Sequence, residues 1–353
     1  MSVLVFGAGR QGECLIYALK ELGHDVFAVD QSISINVKEL IPMGWTKGID
    51  FQNDKDISDT LDDYENSELE LVISCLPYFL NEKVAKACID RKIPYFDLGG
   101  HVGTSAAINA YSVENDGQVF TDLGLAPGWV NIMAEDSYRR INQIDEVQAI
   151  QMFCGGLPTH ACGLHNPPFN YGRTWSSEGL LNEYKDDCFI LKYGKVETVS
   201  GMSGIEDHDG GWEAFHTSGG IGKSLDLMKN RGVKFCTYKT LRGRGHIEPV
   251  QSLIEAGFGV EFFDKLFPVI TKDYVRLEAR ANGKNSYYRN TQSVYSDDRF
   301  TAMQKATAFP VASVAHMFLN DTHEGLYINS RDYSHVDYEE FTETLGGLLG
   351  IEL

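Results

Sequence analysis

Val3 to Phe6 is a short apolar run that leads directly into Gly7-Ala8-Gly9-Arg10-Gln11-Gly12, after which Leu15, Ala18, Leu19 and Leu22 recur at helical spacing. The pattern spells strand, glycine turn and helix. Gly7 permits the tight turn, Gly9 lets the backbone approach a pyrophosphate, and Gly12 lets the helix pack closely on the strand. The free N–H groups of the helix's first turn, with Arg10 and Gln11, then face the phosphates. Gly23-His24 closes the helix, Val26 to Val29 forms a second strand, and Asp30 stands at its end. These features together predict a Rossmann-type dinucleotide-binding unit.

Asp30 also bears on which dinucleotide is held. An acid there accepts hydrogen bonds from both adenosine ribose hydroxyls. The 2′-phosphate of NADP would stand beside it, and two like charges about 4 Å apart cost up to ~4 kcal/mol near a protein surface. NAD is therefore expected over NADP. In the counter-reading Asp30 turns away and Arg10 or Ser32 serves a phosphate.

Alternation continues along the chain. Leu71 to Ser74, Tyr95 to Leu98 and Gln118 to Asp122 read as strands and Asn81 to Arg91 as a helix, with Gly and Pro between them. The expected fold class is α/β, a doubly wound parallel sheet. Ligands of such sheets lie outside the carboxyl ends of the strands, where Ser74, Leu76, Pro77, Asp97 and Asp122 fall. The first four are expected at the cofactor. Their plainer alternative is ordinary loop chemistry. Further on, Val130 to Ile141 reads as a helix and Val147 to Cys154 as a strand opening a second domain. Residues 155–185, rich in Gly, Pro, Asn and aromatics, read as long loops lining a site.

At 353 residues the chain favours two domains. A formal charge of −19 with no Lys/Arg run excludes a nucleic-acid partner. No stretch stays apolar long enough to span a bilayer, and the start lacks a targeting pattern, so a soluble, cytoplasmic protein is expected. Seven cysteines without paired spacing read as reduced thiols. Cys154, His160, Cys162 and His165 have ligand types that suit zinc but lack a C-x-x-C or H-x-x-x-H anchor, so no metal is expected.

Six blocks carry a resemblance. They are Ser74-Cys75-Leu76-Pro77, Asp122 to Gly128, Cys154-Gly155-Gly156-Leu157-Pro158, Tyr171 to Gly179, Thr217-Ser218-Gly219-Gly220, and Tyr238-Lys239-Thr240-Leu241-Arg242 with Gly245-His246. In order and spacing, over most of the chain, they resemble the saccharopine dehydrogenase-like family. Within it the chain looks most like the L-lysine 6-dehydrogenase branch. Saccharopine-forming reductases carry Asp-Pro-Gly where this chain has Ala126-Pro127-Gly128.

The resemblance implies an NAD(P)-dependent oxidoreductase acting on the C–N bond of a small amino-acid substrate, most closely lysine oxidation at the 6-amine. Saccharopine or carboxynorspermidine dehydrogenase is the alternative, and a non-catalytic dinucleotide sensor is an alternative of another class. It further implies that residues 1–128 and 301–353 form the dinucleotide-binding domain, with the helical run from Met303 to Leu319 returning to it. Residues 129–300 would then form an α+β substrate domain with a mixed or antiparallel sheet, through which two copies make a homodimer.

The implied chemistry sets requirements. An ammonium with an ordinary pKa of about 10.4 costs on the order of 4 kcal/mol to deprotonate near neutral pH, so a base and a partly dry pocket are expected. Asp122 is the first candidate, and Lys239, His216 and Glu178 are the others. The plain alternative for Asp122 is a turn or helix-cap acid, and for the rest a surface charge. The substrate carboxylate calls for a guanidinium fork, Arg242 first and Arg173 second. The plain alternative for either is a domain-bridging salt bridge. Trp175 and Tyr171 would wall the pocket or simply pack in a core. His246 would assist the carboxylate or cap the Arg242 loop.

Overall fold

The computed structural model describes residues 1–42, 44–65, 69–159, 167–320 and 328–353. The chain divides into two compact units, Met1–Trp129 with Thr307–Leu353, and Val130–Ala306.

The first unit runs β1 (Ser2–Phe6), α1 (Arg10–Glu21), β2 (Asp25–Asp30), α2 (Ile35–Leu40), β3 (Thr46–Gly48), α3 (Asp54–Glu65), β4 (Leu69–Ser74), α4 (Tyr78–Asp90), β5 (Tyr95–Asp97), α5 (Val102–Glu114) and β6 (Val119–Phe120). The strands form one parallel sheet in the order β3-β2-β1-β4-β5-β6. Parallel strands covered on both faces need continuous apolar runs, and Val3 to Phe6 and Leu71 to Ile73 are fully buried. Helix α1 buries Cys14, Leu15, Ile16, Ala18 and Leu19 on the same core. Two differences from the sequence reading stand out. Strand β3 was not anticipated, because three residues at a sheet edge carry no readable period. Strand β6 ends at Phe120 rather than at Asp122, because Asp122 turns left-handed at φ 68° and cannot extend the ladder.

The C-terminal segment completes this unit. The Val119 amide donates to Asn329 O and its carbonyl accepts from Arg331 N, each at 2.9 Å. Ser330 thereby bridges to β6 in parallel. Phe318 packs on Phe96 with ring centroids 5.1 Å apart.

The second unit contains most of α6 (Trp129–Asn142), then β7 (Val147–Pro158), α7 (Ser177–Lys185), β8 (Cys188–Lys192), β9 (Lys195–Val199), β10 (Glu206–His208), β11 (Trp212–Phe215), α8 (Ser224–Asn230), β12 (Phe235–Gly243), α9 (Ile247–Glu255), α10 (Val260–Leu266), β13 (Asp273–Gly283) and β14 (Tyr287–Tyr295). Helix α11 (Ala302–Asn320) begins here, and α12 (Tyr338–Leu349) belongs to the first unit. The sheet is mixed, in the order β10-β11-β12-β7-β13-β14, with β8 and β9 attached beside β12. Its β12–β7 pair is parallel and the remaining pairs are antiparallel.

The loop reading of residues 155–185 needs correcting. Strand β7 continues to Pro158, and Ser177–Lys185 is a helix. Ser176 caps it, its Oγ accepting from Gly179 N at 2.9 Å, and Leu180, Leu181 and Tyr184 bury one face.

On β13, Glu278 is fully buried among cations. It accepts from Arg289 at 2.6 Å, bonds Arg280, and lies 3.6 Å from His208 Nε2 and 3.7 Å from Arg276. No helix among the described residues is long and apolar enough to cross a membrane.

Candidate active site

The glycine turn of the first unit has the shape a pyrophosphate needs. Gly12 comes so close to β1's exit that a Cβ there would stand 1.8 Å from Gly7 O, so only glycine fits. At Gly9 a Cβ would meet nothing within 4 Å, which leaves open space beside the first turn of α1. Arg10 is exposed next to it, and Gln11 Oε1 is buried without a hydrogen-bond partner. Asp30, at the end of β2, accepts from Ala8 N at 2.6 Å and Ser32 N at 3.2 Å, which places its carboxylate against the same turn. Ser32 is therefore committed by its amide to Asp30. An open cradle, an orphaned amide oxygen and an acid at the strand end together fit a nicotinamide dinucleotide.

At the other strand ends, the residues are more occupied. Ser74 is fully buried and donates to Asn81 Oδ1 at 2.8 Å, which orders the start of α4 after Pro77. Leu76 is half-buried against the first unit's core, and Pro77 is exposed. Asp97 is 1% exposed, and its Oδ1 accepts from Gly99 N at 2.8 Å and Asp122 N at 3.0 Å. Its Oδ1 thereby ties the turn at Gly99 to Asp122. Asp122 is also buried, with Ser105 Oγ donating to its Oδ1 at 2.7 Å and Tyr333 OH donating to its carbonyl at 3.1 Å.

In the second unit Arg242 anchors a buried network. Its Nε donates to Tyr184 OH at 2.9 Å and NH1 to Leu241 O at 2.9 Å, and its guanidinium lies 4.9 Å from the centroid of Tyr171. Tyr184 OH meets His246 Nε2 at 3.0 Å, and His246 Nδ1 meets Phe169 O at 3.1 Å. Because a carbonyl only accepts, Nδ1 carries the proton and Nε2 accepts from the phenol. Burial and the charge of Arg242 lower His246 to about 3, so it stays neutral. Burial works against the charge of Arg242, but Tyr184, Tyr171 and Glu183 more than offset it, and the guanidinium is retained. Trp175 Nε1 donates to Tyr171 OH at 3.1 Å, which makes it part of the same wall.

Glu183 escaped the sequence reading. It is half-buried on α7, within electrostatic reach of Arg242, Tyr171, Tyr184 and Tyr238. Burial pushes its carboxyl up to about 7 against the opposing charge of Arg242. The signal was a Ser-x-x-Gly cap with Leu180, Leu181 and Tyr184 on one helix face, hidden by the surrounding glycines and aromatics.

The other candidates are placed apart from this network. Side chains alternate along a strand, so Tyr238, Thr240 and Arg242 share one face of β12 and Lys239 faces the other. There Lys239 donates to Gly204 O at 2.6 Å and pairs with Glu206 at 3.0 Å. His216 Nδ1 meets Tyr238 O at 3.3 Å, and burial, then Lys239, lowers its pKa. Its neighbour Thr217 hydrogen-bonds Thr240 at 2.7 Å. Arg173 pairs with Asp264 at 2.8 Å, and Glu178 is exposed in the first turn of α7. Of the zinc-type residues, Cys154 is buried on β7, with burial raising its thiol to about 12. His160, Cys162 and His165 lie outside the described residues.

Residues 3–120 match the saccharopine dehydrogenase NADP binding domain, and residues 124–351 match the saccharopine dehydrogenase C-terminal domain. The mitochondrial alpha-aminoadipic semialdehyde synthase of Bos taurus is 32% identical over 140 residues, 39% of this chain and 15% of that protein. Saccharopine dehydrogenase [NADP(+), L-glutamate-forming] of Pyricularia oryzae is 28% identical over 147 residues, 39% of this chain and 31% of that protein. The chain thus aligns with under a third of the length of these relatives. The apo saccharopine dehydrogenase (L-Glu forming) structure from Saccharomyces cerevisiae shares the fold, with a TM-score of 0.72 at 17% identity, covering 99% of this chain and 98% of that one. A nicotinamide dinucleotide is the cofactor that the matched first domain and the glycine turn both indicate. With both matched regions drawn from one family and together accounting for nearly all of its length, the chain belongs to the saccharopine dehydrogenase family.

Proposed function

We propose that this protein is an oxidoreductase acting on the C–N bond of an amino acid, with L-lysine oxidised at its 6-amine as the preferred reading. The observation that carries it is Arg242 and Glu183 together in one aromatic setting, a cation for a carboxylate and an acid for an ammonium. Lysine needs one cationic clamp, whereas saccharopine, with three carboxylates, calls for several. Among the described residues, Arg173 and Lys239 are engaged by Asp264 and Glu206, which leaves Arg242 for that role. The saccharopine reading, kept second, is supported by the names of the relatives.

In this reading Arg242 orients the substrate carboxylate and Glu183 holds an ammonium. Asp122, on the first unit, is the candidate base for the proton that the reacting nitrogen must lose. When bound, the dinucleotide supplies the hydride acceptor. Loss of the hydride leaves a C=N bond in the substrate. Water adds to that carbon and ammonia departs, giving the aldehyde. NAD is preferred to NADP on the position of Asp30, and a homodimer built through the second unit's sheet is the assembly the resemblance implies.

The test mixes the purified protein with NAD or NADP and L-lysine, diamines or saccharopine, and follows reduced-dinucleotide absorbance. Reduction with lysine above saccharopine is expected. Silence with every amine, in both directions, would overturn the enzyme reading and leave a dinucleotide-binding sensor. Sedimentation of the same sample reports the oligomeric state.

A further inference from the structure

Asp122 sits in the left-handed region at φ 68°, where a side-chain-bearing residue needs support. That support comes from Asp97. A single oxygen, Asp97 Oδ1, accepts both the Gly99 amide at 2.8 Å and the Asp122 amide at 3.0 Å, so it ties the turn after β5 to the residue beyond β6. Gly99 comes so near that a Cβ there would stand 2.5 Å from Asp122 Oδ1. From α5, Ser105 Oγ donates to that same Oδ1 at 2.7 Å. Asp122 is thus gripped at its amide and at its carboxyl, and Asp97 makes the first grip.

Among the described residues, the titratable groups that act on Asp97 are Asp122, the Tyr95 phenol and the Cys75 thiol. Burial, then the charge of Asp122, pushes Asp97 up to about 7, against the Asp122 and Gly99 amide hydrogen bonds, which favour the charged form. Two buried carboxyls that feel one another's charge do not ionise together readily.

We propose that Asp97 is the positioning residue for Asp122, and that the two carboxyls act as one unit holding a single proton between them. The role of Asp122 in proton transfer rests on the function proposed above. The sharing of the proton does not.

Asp97→Asn is the informative variant, because the amide oxygen still accepts from Gly99 and Asp122 while the ionisable group is gone. A carboxyl raised in the folded state gives stability that is full below its unfolded value and is lost as pH rises through the folded value. Wild-type melting temperature should therefore fall from about pH 4 to about pH 7 through this group. The variant should lack that part of the slope, a difference of several degrees. In turnover, Asp97→Asn should shift the acid limb of the kcat profile with the dinucleotide KM unchanged, which a purely structural residue would not do. Should the variant fold poorly, infrared spectra of the Glu183→Gln protein, which lacks the other carboxyl raised to about 7, provide a second measurement. A protonated-carboxyl band present near about pH 6 and lost near about pH 8 is expected.

Identical pH slopes in wild type and variant, or no such band, would overturn the proposal even in an active enzyme. A lost slope in a protein that oxidises no amine would leave the carboxyl pair standing and remove the enzymatic reading.

Discussion

Arg242 and His246 are held by one oxygen, the phenol of Tyr184, which takes the Arg242 Nε hydrogen at 2.9 Å and gives its own to His246 Nε2 at 3.0 Å. Every hydrogen in this chain has a fixed direction, since His246 Nδ1 is spent on Phe169 O. The guanidinium is oriented before any ligand arrives.

Tyr184→Phe removes the middle of that chain and leaves Arg242 Nε and His246 Nε2 buried without a partner. An unmade buried hydrogen bond costs about 1–3 kcal/mol, so a lower melting temperature is expected in calorimetry. Under the proposed function, substrate KM should rise more than kcat falls.

Arg242→Lys keeps the charge and loses the fork. Hydrogen bonds to charged groups are worth about 1.5–3 kcal/mol, so kcat/KM for lysine should drop by roughly 10- to 150-fold. A diamine with the same reacting end and no carboxylate should lose far less. Equal losses for both substrates would remove Arg242 from carboxylate recognition.

Asp30→Ser relieves the repulsion a 2′-phosphate would meet. The ratio of kcat/KM for NADP over NAD should rise by about tenfold or more. A wild-type preference for NADP would show that Asp30 does not govern the choice.

Glu278 sets an acid limit on the second unit. Burial alone would raise its carboxyl, but the nearby His208, the hydrogen bond from Arg289 and the charge of Arg280 overcome this and hold it at about 2. A depressed acid gives stability that is present above its unfolded value and lost as pH falls through the folded value. Stability should therefore decline below about pH 4.5. Glu278→Gln removes the charge facing Arg276 and Arg280, while Arg289 keeps Asp209 at 2.9 Å, so a loss of about 1–3 kcal/mol is expected by chemical denaturation, with a flatter acid dependence.

What was legible in the sequence follows from the range of the signal. Gly7, Gly9, Gly12 and Asp30 are read from local spacing, because a turn and a strand end are local facts. Arg242 and Tyr171 came from block resemblance, and the structure brings them together by a cation–π contact. Lys239 was placed with them because adjacency in sequence was not yet adjacency in space. The alternation of β12 puts it on the opposite face. Glu183 was missed with its helix, since a stretch read as loop offers no face on which to look for a carboxyl. Asp97 was assigned to the cofactor from its position at a strand end, and only the hydrogen bonds show its side chain turned to the backbone.

The return of the chain to β6 has a consequence for biogenesis. Val119 finds its backbone partners at Asn329 and Arg331, so a nascent first unit emerges from the ribosome with the edge of its sheet unsatisfied. That edge stays open to misplaced strands until some two hundred further residues have been made. Synthesis order thus obliges the second unit to appear before the first can close.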